Sequence, residues 1–251
     1  MQLLAWTIIG ALLGLAVGSA IATLVIRWPA GRTMGGRSAC DHCATPLRAV
    51  DLVPLVSFAV NRGGGWSCLN PIDRLHPAIE LAAAAVGASA LLVLPGIAGL
   101  SLAAGGLLLL TLAALDAETL WLPDRLVLPL ALLGIADAAL FHPEQLEVRL
   151  IGMVAGFVLL ESVRRLYRRL RGREGMGGGD PKLFGALGAW LGWPALPAVL
   201  ILAGGAGLAW VLVRRLRGRD VPVELPLGSL MALGAWPLML LGAAEIGIGR
   251  S

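Results

Sequence analysis

The chain is 251 residues long, with 57% hydrophobic residues, 14% charged residues, 34 glycines and three cysteines. Counted with the glycines, the apolar share is about 70%, against about 45–50% for an average soluble domain, which excludes a soluble globule, a disordered chain and a secreted disulfide scaffold. The net charge of +4 belongs to loops between apolar stretches, so the composition predicts an integral membrane protein in contact with a lipid bilayer and not with nucleic acid.

In chain order, apolar stretches predict eight membrane spans, at 3–26, 78–95, 98–116, 125–141, 148–165, 183–193, 195–213 and 226–247. The fold class is therefore all-α, a polytopic transmembrane helix bundle. The first stretch lacks a basic leader and meets its first positive charge at Arg27, as expected of a retained anchor and not of a signal peptide. Residues 27–77 are the one sizeable polar region and form a small domain between the first span (1–26) and the multi-span domain (78–251). Leu81 to Leu115 is uncharged over about 52 Å of helix, too long for one crossing of a ~30 Å core. It must turn back, and Pro95-Gly96 is the natural place. Leu183 to Val213 is likewise uncharged and is broken by Trp193-Pro194 and Pro197, giving a short span and then a fuller one.

With the 27–77 loop on the cytoplasmic side, the alternating spans put 18 of the 20 basic residues on that side, leaving Arg149 and Arg250 opposite. That asymmetry places the N-terminus outside the cytoplasm. The arginine clusters at 164–173 and 214–219 read as topology signals.

Ionisable groups at membrane depth are costly and mark function by default. Asp116 ends the third span, and Asp180 opens the sixth after Gly177-Gly178-Gly179, both at the cytoplasmic surface in this topology. Two readings stand. Two carboxylates held close tend to share one proton, so that one activates water while the other protonates the departing group, as in an aspartic protease. Alternatively, each is an interfacial cap solvated by headgroups. Consecutive glycines before a carboxylate allow close backbone approach, and equally a flexible turn or an anion-binding nest.

The string Gly175-Met176-Gly177-Gly178-Gly179-Asp180-Pro181-Lys182 resembles the GxGD signature of the type IV prepilin peptidases. Asp116 with Leu122-Pro123-Asp124 is similar to that family's other aspartate motif. Gly18-Ser19, Cys40-Asp41-His42-Cys43, Asp51 to Ser57, His76-Pro77 with Glu80, and Leu225-Pro226-Leu227-Gly228 match in the same order, from about residue 18 to 235. The resemblance implies a bacterial inner-membrane aspartic endopeptidase with its active site toward the cytoplasm. Its substrates would be prepilins or pseudopilins, cut after a glycine that ends a short basic leader and precedes a hydrophobic helix. In many members the same protein then methylates the new N-terminal amine with S-adenosylmethionine. On this likeness Asp116 and Asp180 are the catalytic pair, with Asp124 the lesser candidate; the residues themselves favour Asp124 as a cap of the fourth helix, and Lys182 either tunes Asp180 or meets lipid phosphate.

Full-length family members commonly carry two Cys-x-x-Cys pairs suited to tetrahedral zinc. This chain keeps Cys40 and Cys43 and, of the second pair, only Cys68, with Gly65 in the partner's place. Three thiolates would hold zinc more weakly than four, with water or a histidine completing the set. Asp137 and His142 fall near the outer face without a catalytic part, and Arg74 and Glu80 read as solvated interfacial groups. The rival reading from another class is a small proton-coupled transporter using Asp116 and Asp180. Such sites usually lie near the bilayer midplane in inverted repeats, whereas these aspartates sit at one edge and no repeat is visible.

Overall fold

In a bilayer every backbone N–H and C=O must be satisfied within the segment, so apolar runs bounded by Gly and Pro become helices. In a computed structural model, residues 1–32, 74–220 and 224–248 are described, and among them there is no strand. They form α1 (Gln2–Arg27), α2 (Leu75–Val93), α3 (Ile97–Thr119), α4 (Asp124–Phe141), α5 (Leu146–Arg171), α6 (Asp180–Leu191), α7 (Leu196–Leu216) and α8 (Leu227–Ile248). Short 3-10 turns, Pro143–Gln145 and Trp193–Ala195, lead into α5 and α7. The two predicted breaks are glycine turns, Gly96 at φ 95° and Gly192 at φ 74°, left-handed conformations that favour a residue without Cβ.

Among the described residues, eight α-helices overlap the eight stretches read as spans. Five of them, α1, α2, α3, α7 with its leading turn, and α8 as far as Glu245, are long and apolar enough to cross a membrane. The other three depart for visible reasons. Helix α4 carries Asp124, Arg125 and Asp137; α5 continues past the predicted span into the cationic run ending at Arg171; and the 12 residues of α6 span only about 18 Å. Leu128, Leu132, Leu140, Ile201, Leu208 and Leu233 all point outward and are well exposed, a surface suited to lipid and not to water.

The chain divides into two compact units, Met1–Gly96 and Ile97–Ser251. In the first, a Cβ added to Gly10 would run into the Gly87 backbone, one on Gly14 into Ala83, and one on Gly18 into Ala83 and the Glu80 backbone. Helices α1 and α2 are therefore antiparallel, with a glycine stripe at four-residue spacing letting the backbones touch. Apolar burial supplies little drive between helices surrounded by lipid, so this close packing holds the pair. It also overturns one expectation: Glu80 is not solvated but buried on α2, where Gly18 leaves room for it. Gly87→Leu is expected to cost at least about 1–3 kcal/mol, read as a lower thermal midpoint in detergent. Leu92→Ala, on the exposed side of α2, serves as the control that changes it little.

In the second unit α6 is the centre. Ten of its twelve residues are buried, as expected of a helix that is apolar all round. Gly188 meets the Gly152 backbone and Gly185 meets Met153 and Phe157, which sets α5 antiparallel against it. At the far end of α6 the Trp190 ring occupies space that only glycine leaves open at Gly105 of α3 and Gly134 of α4, and its Nε1–H donates to the Leu130 carbonyl at 2.9 Å. These contacts fix the register. Gly105 lies eleven residues before Asp116, Trp190 ten after Asp180, and Gly134 ten after Asp124. The C-terminal end of α3 and the N-terminal ends of α4 and α6 are thereby level with one another.

Candidate active site

Asp116 lies in the last turn of α3 and is buried. Its Oδ2 accepts the backbone N–H of Ser229 at 2.7 Å, and the Ser229 hydroxyl stands 3.1 Å from the same oxygen. The Gly228 N–H also points at this carboxyl. Gly228 and Ser229 open α8, and the first N–H groups of a helix have no partner within it. Asp116 therefore supplies from α3 the acceptor that a local cap would give, at the end of the α8 dipole that favours negative charge. A Cβ on Gly228 would stand 3.0 Å from the Asp116 carboxyl, so glycine is what lets the helix end approach it.

Asp180 is the first residue of α6, outside the five apolar crossings, and it too is buried. Burial first, and the nearby Asp116 charge second, push its carboxyl up to about 6, against the opposing effect of a Gly177 N–H bond. The structure thus brings the two predicted carboxylates near enough for Asp180 to feel the charge of Asp116. The loop after α3 completes the enclosure. Leu120 takes φ 53°, uncommon for a residue with a side chain, and Leu122 turns inward against both Gly179 and Gly228. The glycine before Asp180 and the glycine beside Asp116 hence close on one leucine.

Lys182 has a partner that the sequence reading did not name. Its Nζ bonds both Asp124 oxygens at 2.7 Å, an ion pair exposed to the surroundings. Asp124 correspondingly does not cap α4: Pro123 holds the cap position and no side-chain cap bond forms there. Further along, Glu161 binds Arg164 and Arg165, and Glu174 binds Arg164 and Arg168, so the cationic end of α5 is partly neutralised by its own acids.

At the opposite end of the unit, Asp137 and Arg149 are buried together. The guanidinium bonds Asp137 Oδ2 at 3.0 Å, the Gly134 carbonyl at 3.4 Å and Gln145 Oε1 at 3.1 and 3.3 Å, with His142 Nε2 3.8 Å from the same carboxylate. Arg149 is a staple between α4 and α5 in addition to being an exception in the charge count. Sequence reasoning missed Ser229, which looks like any small polar residue; its only signal was its place directly after Leu225-Pro226-Leu227-Gly228. Cys40, Cys43, Cys68 and His42 lie outside the described residues. Among the described residues no group of three His, Cys, Asp or Glu side chains could hold a metal.

Two family models match. Residues 103–212 match the Type IV leader peptidase family, and residues 12–94 match the Bacterial Peptidase A24 N-terminal domain. A protein of Burkholderia pseudomallei (strain 1026b) named prepilin leader peptidase/N-methyltransferase is 44% identical over 209 residues, covering 82% of this chain and 67% of the relative. Proteins of the same name from Aeromonas hydrophila and Dickeya chrysanthemi are each 37% identical, covering 85% and 91% of this chain and 74% and 79% of theirs. No solved structure matches.

Proposed function

Since the chain belongs to the type IV leader peptidase family and is a prepilin peptidase of the membrane, we propose that Asp116 and Asp180 are the carboxylate pair that cuts the leader. The observation that carries this reading is the meeting of two buried carboxylates from separate helices at one end of the unit. Their surroundings differ, which assigns their parts. Asp116 faces the donors of a helix N-terminus and is the member suited to stay ionised and take a proton from water. Asp180, pushed up to about 6, is the member suited to hold a proton and give it to the amide oxygen or departing amine. No step needs a metal ion.

The proton on Asp180 is present below its raised value and lost above it. The alkaline limb of the kcat/KM profile is therefore expected to turn near pH 6, as a property of the coupled pair. A profile flat from pH 5 to 8 would contradict this assignment. The substrates we propose are prepilins or pseudopilins, cut on the cytoplasmic side. A site at the ends of the helices reaches a bond just outside an apolar substrate helix of about 20 residues. The test is a peptide with a short basic leader ending in glycine before such a helix, cleaved by the purified protein and mapped by mass spectrometry. A single cut after the glycine, with soluble casein untouched, is expected; casein cleaved at a comparable rate would sink the reading. The transporter reading finds no support: its relatives are peptidases, and the carboxylates lie at helix ends instead of midway.

The relatives' names join an N-methyltransferase to the peptidase, and we extend that activity to this chain, with S-adenosylmethionine supplying the methyl group to the amine exposed by the cut. Zinc at Cys40, Cys43 and Cys68 is likewise a proposal, resting on three soft ligands in the sequence. Metal analysis of the purified protein is expected to find about one zinc per chain, bound more weakly in Cys68→Ser. Chelation should loosen the loop and spare leader cleavage; protein without stoichiometric metal would remove zinc from the account.

A further inference from the structure

The Ser229 hydroxyl stands between two acceptors, 2.7 Å from the Ala113 carbonyl oxygen and 3.1 Å from Asp116 Oδ2. A hydroxyl has one hydrogen and two lone pairs, so it donates to one of them at a time. With Asp116 ionised, the hydrogen turned toward Oδ2 makes a charge-assisted bond, beside the backbone N–H already donating to that oxygen at 2.7 Å. When water protonates the other Asp116 oxygen, Oδ2 becomes the neutral carbonyl oxygen, keeps the backbone N–H, and releases the serine hydrogen to the Ala113 carbonyl. Between the two states only the serine hydrogen rotates. Asp180 is served differently, by the backbone N–H of Gly177.

We propose that Ser229 is a positioning residue for the peptidase reaction, fixing one Asp116 oxygen and following the proton that Asp116 takes up and returns. The proposal rests on Asp116 being half of the catalytic pair. The proton exchanged belongs to water and substrate throughout; the Ser229 hydrogen reorients and never leaves. The pinned oxygen leaves the other Asp116 oxygen for the reacting water, and no buried polar atom loses its partner during the cycle. The charged groups at this end of the neighbouring helices are Asp180 and Lys182 of α6 and Asp124 and Arg125 of α4. Glu118 follows on α3 itself, and the first turn of α8 brings none. Asp124 is tied to Lys182.

Ser229→Ala keeps the backbone N–H and removes only the hydroxyl. The ionised Asp116 then loses a donor, while the protonated form, whose Oδ2 keeps the backbone N–H, loses little. The expected result is a kcat about tenfold lower at nearly unchanged KM, with the acidic limb of the pH–kcat profile moved up by about one unit, because the lost donor favoured the charged carboxylate. Ser229→Thr, which keeps a hydroxyl, should restore both. Asp116→Asn, measured alongside, separates the two layers of the argument. If Asp116→Asn is inactive while Ser229→Ala keeps the wild-type kcat and pH profile, the Ser229 proposal is overturned and the pair stands. A Ser229→Ala that only melts lower, with an unshifted profile and no rescue by threonine, also overturns it. Full activity in Asp116→Asn removes the reading underneath.

Discussion

Asp116→Asn and Asp180→Asn are each expected to lower leader cleavage by about a thousandfold while the protein inserts and melts as before. An amide has nearly the shape of a carboxyl but can neither take a proton from water nor give one up. Asparagine at 116 still offers a carbonyl oxygen to the Ser229 N–H, so the junction of α3 with the start of α8 should survive. At 180 the exchange removes a charge that burial already disfavours, so no loss of stability is expected there. Loss of cleavage with an intact fold is the signature of chemistry; a joint loss of both would point to a structural part.

Asp137→Ala should do the reverse, damaging the fold and sparing the chemistry. Arg149 is buried, and its guanidinium depends on the Asp137 carboxylate at 3.0 Å with lesser help from Gly134 and Gln145. Removing the carboxylate leaves an uncompensated buried cation, at a cost of about 3–5 kcal/mol. The expected readout is a thermal midpoint in detergent lowered by many degrees. Replacing both partners together, as Asp137→Leu with Arg149→Met, should recover most of the loss, because two apolar side chains leave no charge behind. Asp137 lies 13 residues along α4 from Asp124, about 20 Å from the level of the carboxylate pair. The fraction that stays folded should accordingly cleave with normal kcat. Loss of cleavage without loss of stability would mean that this cluster serves the reaction.

What could be read in the sequence was what one dimension carries. The helix positions followed from uncharged runs and from Pro95-Gly96 and Trp193-Pro194, because in lipid an apolar run has no folded option but helix. Asp116 and Asp180 stood out as carboxylates ending and opening such runs. Their meeting could only be guessed from shared depth, since the contact is made through the register of α3 against α6 and Trp190. Partners chosen across the fold were beyond reach: Lys182 with Asp124, 58 residues apart, and Ser229 with Asp116, 113 apart. The misreading of Glu80 has the same origin. A glutamate near the start of a span looks solvated until Gly18, on the other helix, is seen to make room for it. Arg149 counted correctly as an outlier in the charge asymmetry, but charge counting says nothing of the aspartate twelve residues before it on the facing helix.

The central claim, that Asp116 and Asp180 work as one unit, is tested most directly by a double-mutant cycle on leader cleavage. It compares kcat/KM for the wild type, Asp116→Asn, Asp180→Asn and the protein carrying both changes, all at the pH of highest activity. If the two carboxylates exchange one proton in a single step, either substitution alone removes the step, and the double variant is no slower than the singles. If the losses multiply, or if one single variant keeps most of its activity, the carboxylates act independently and the account is wrong.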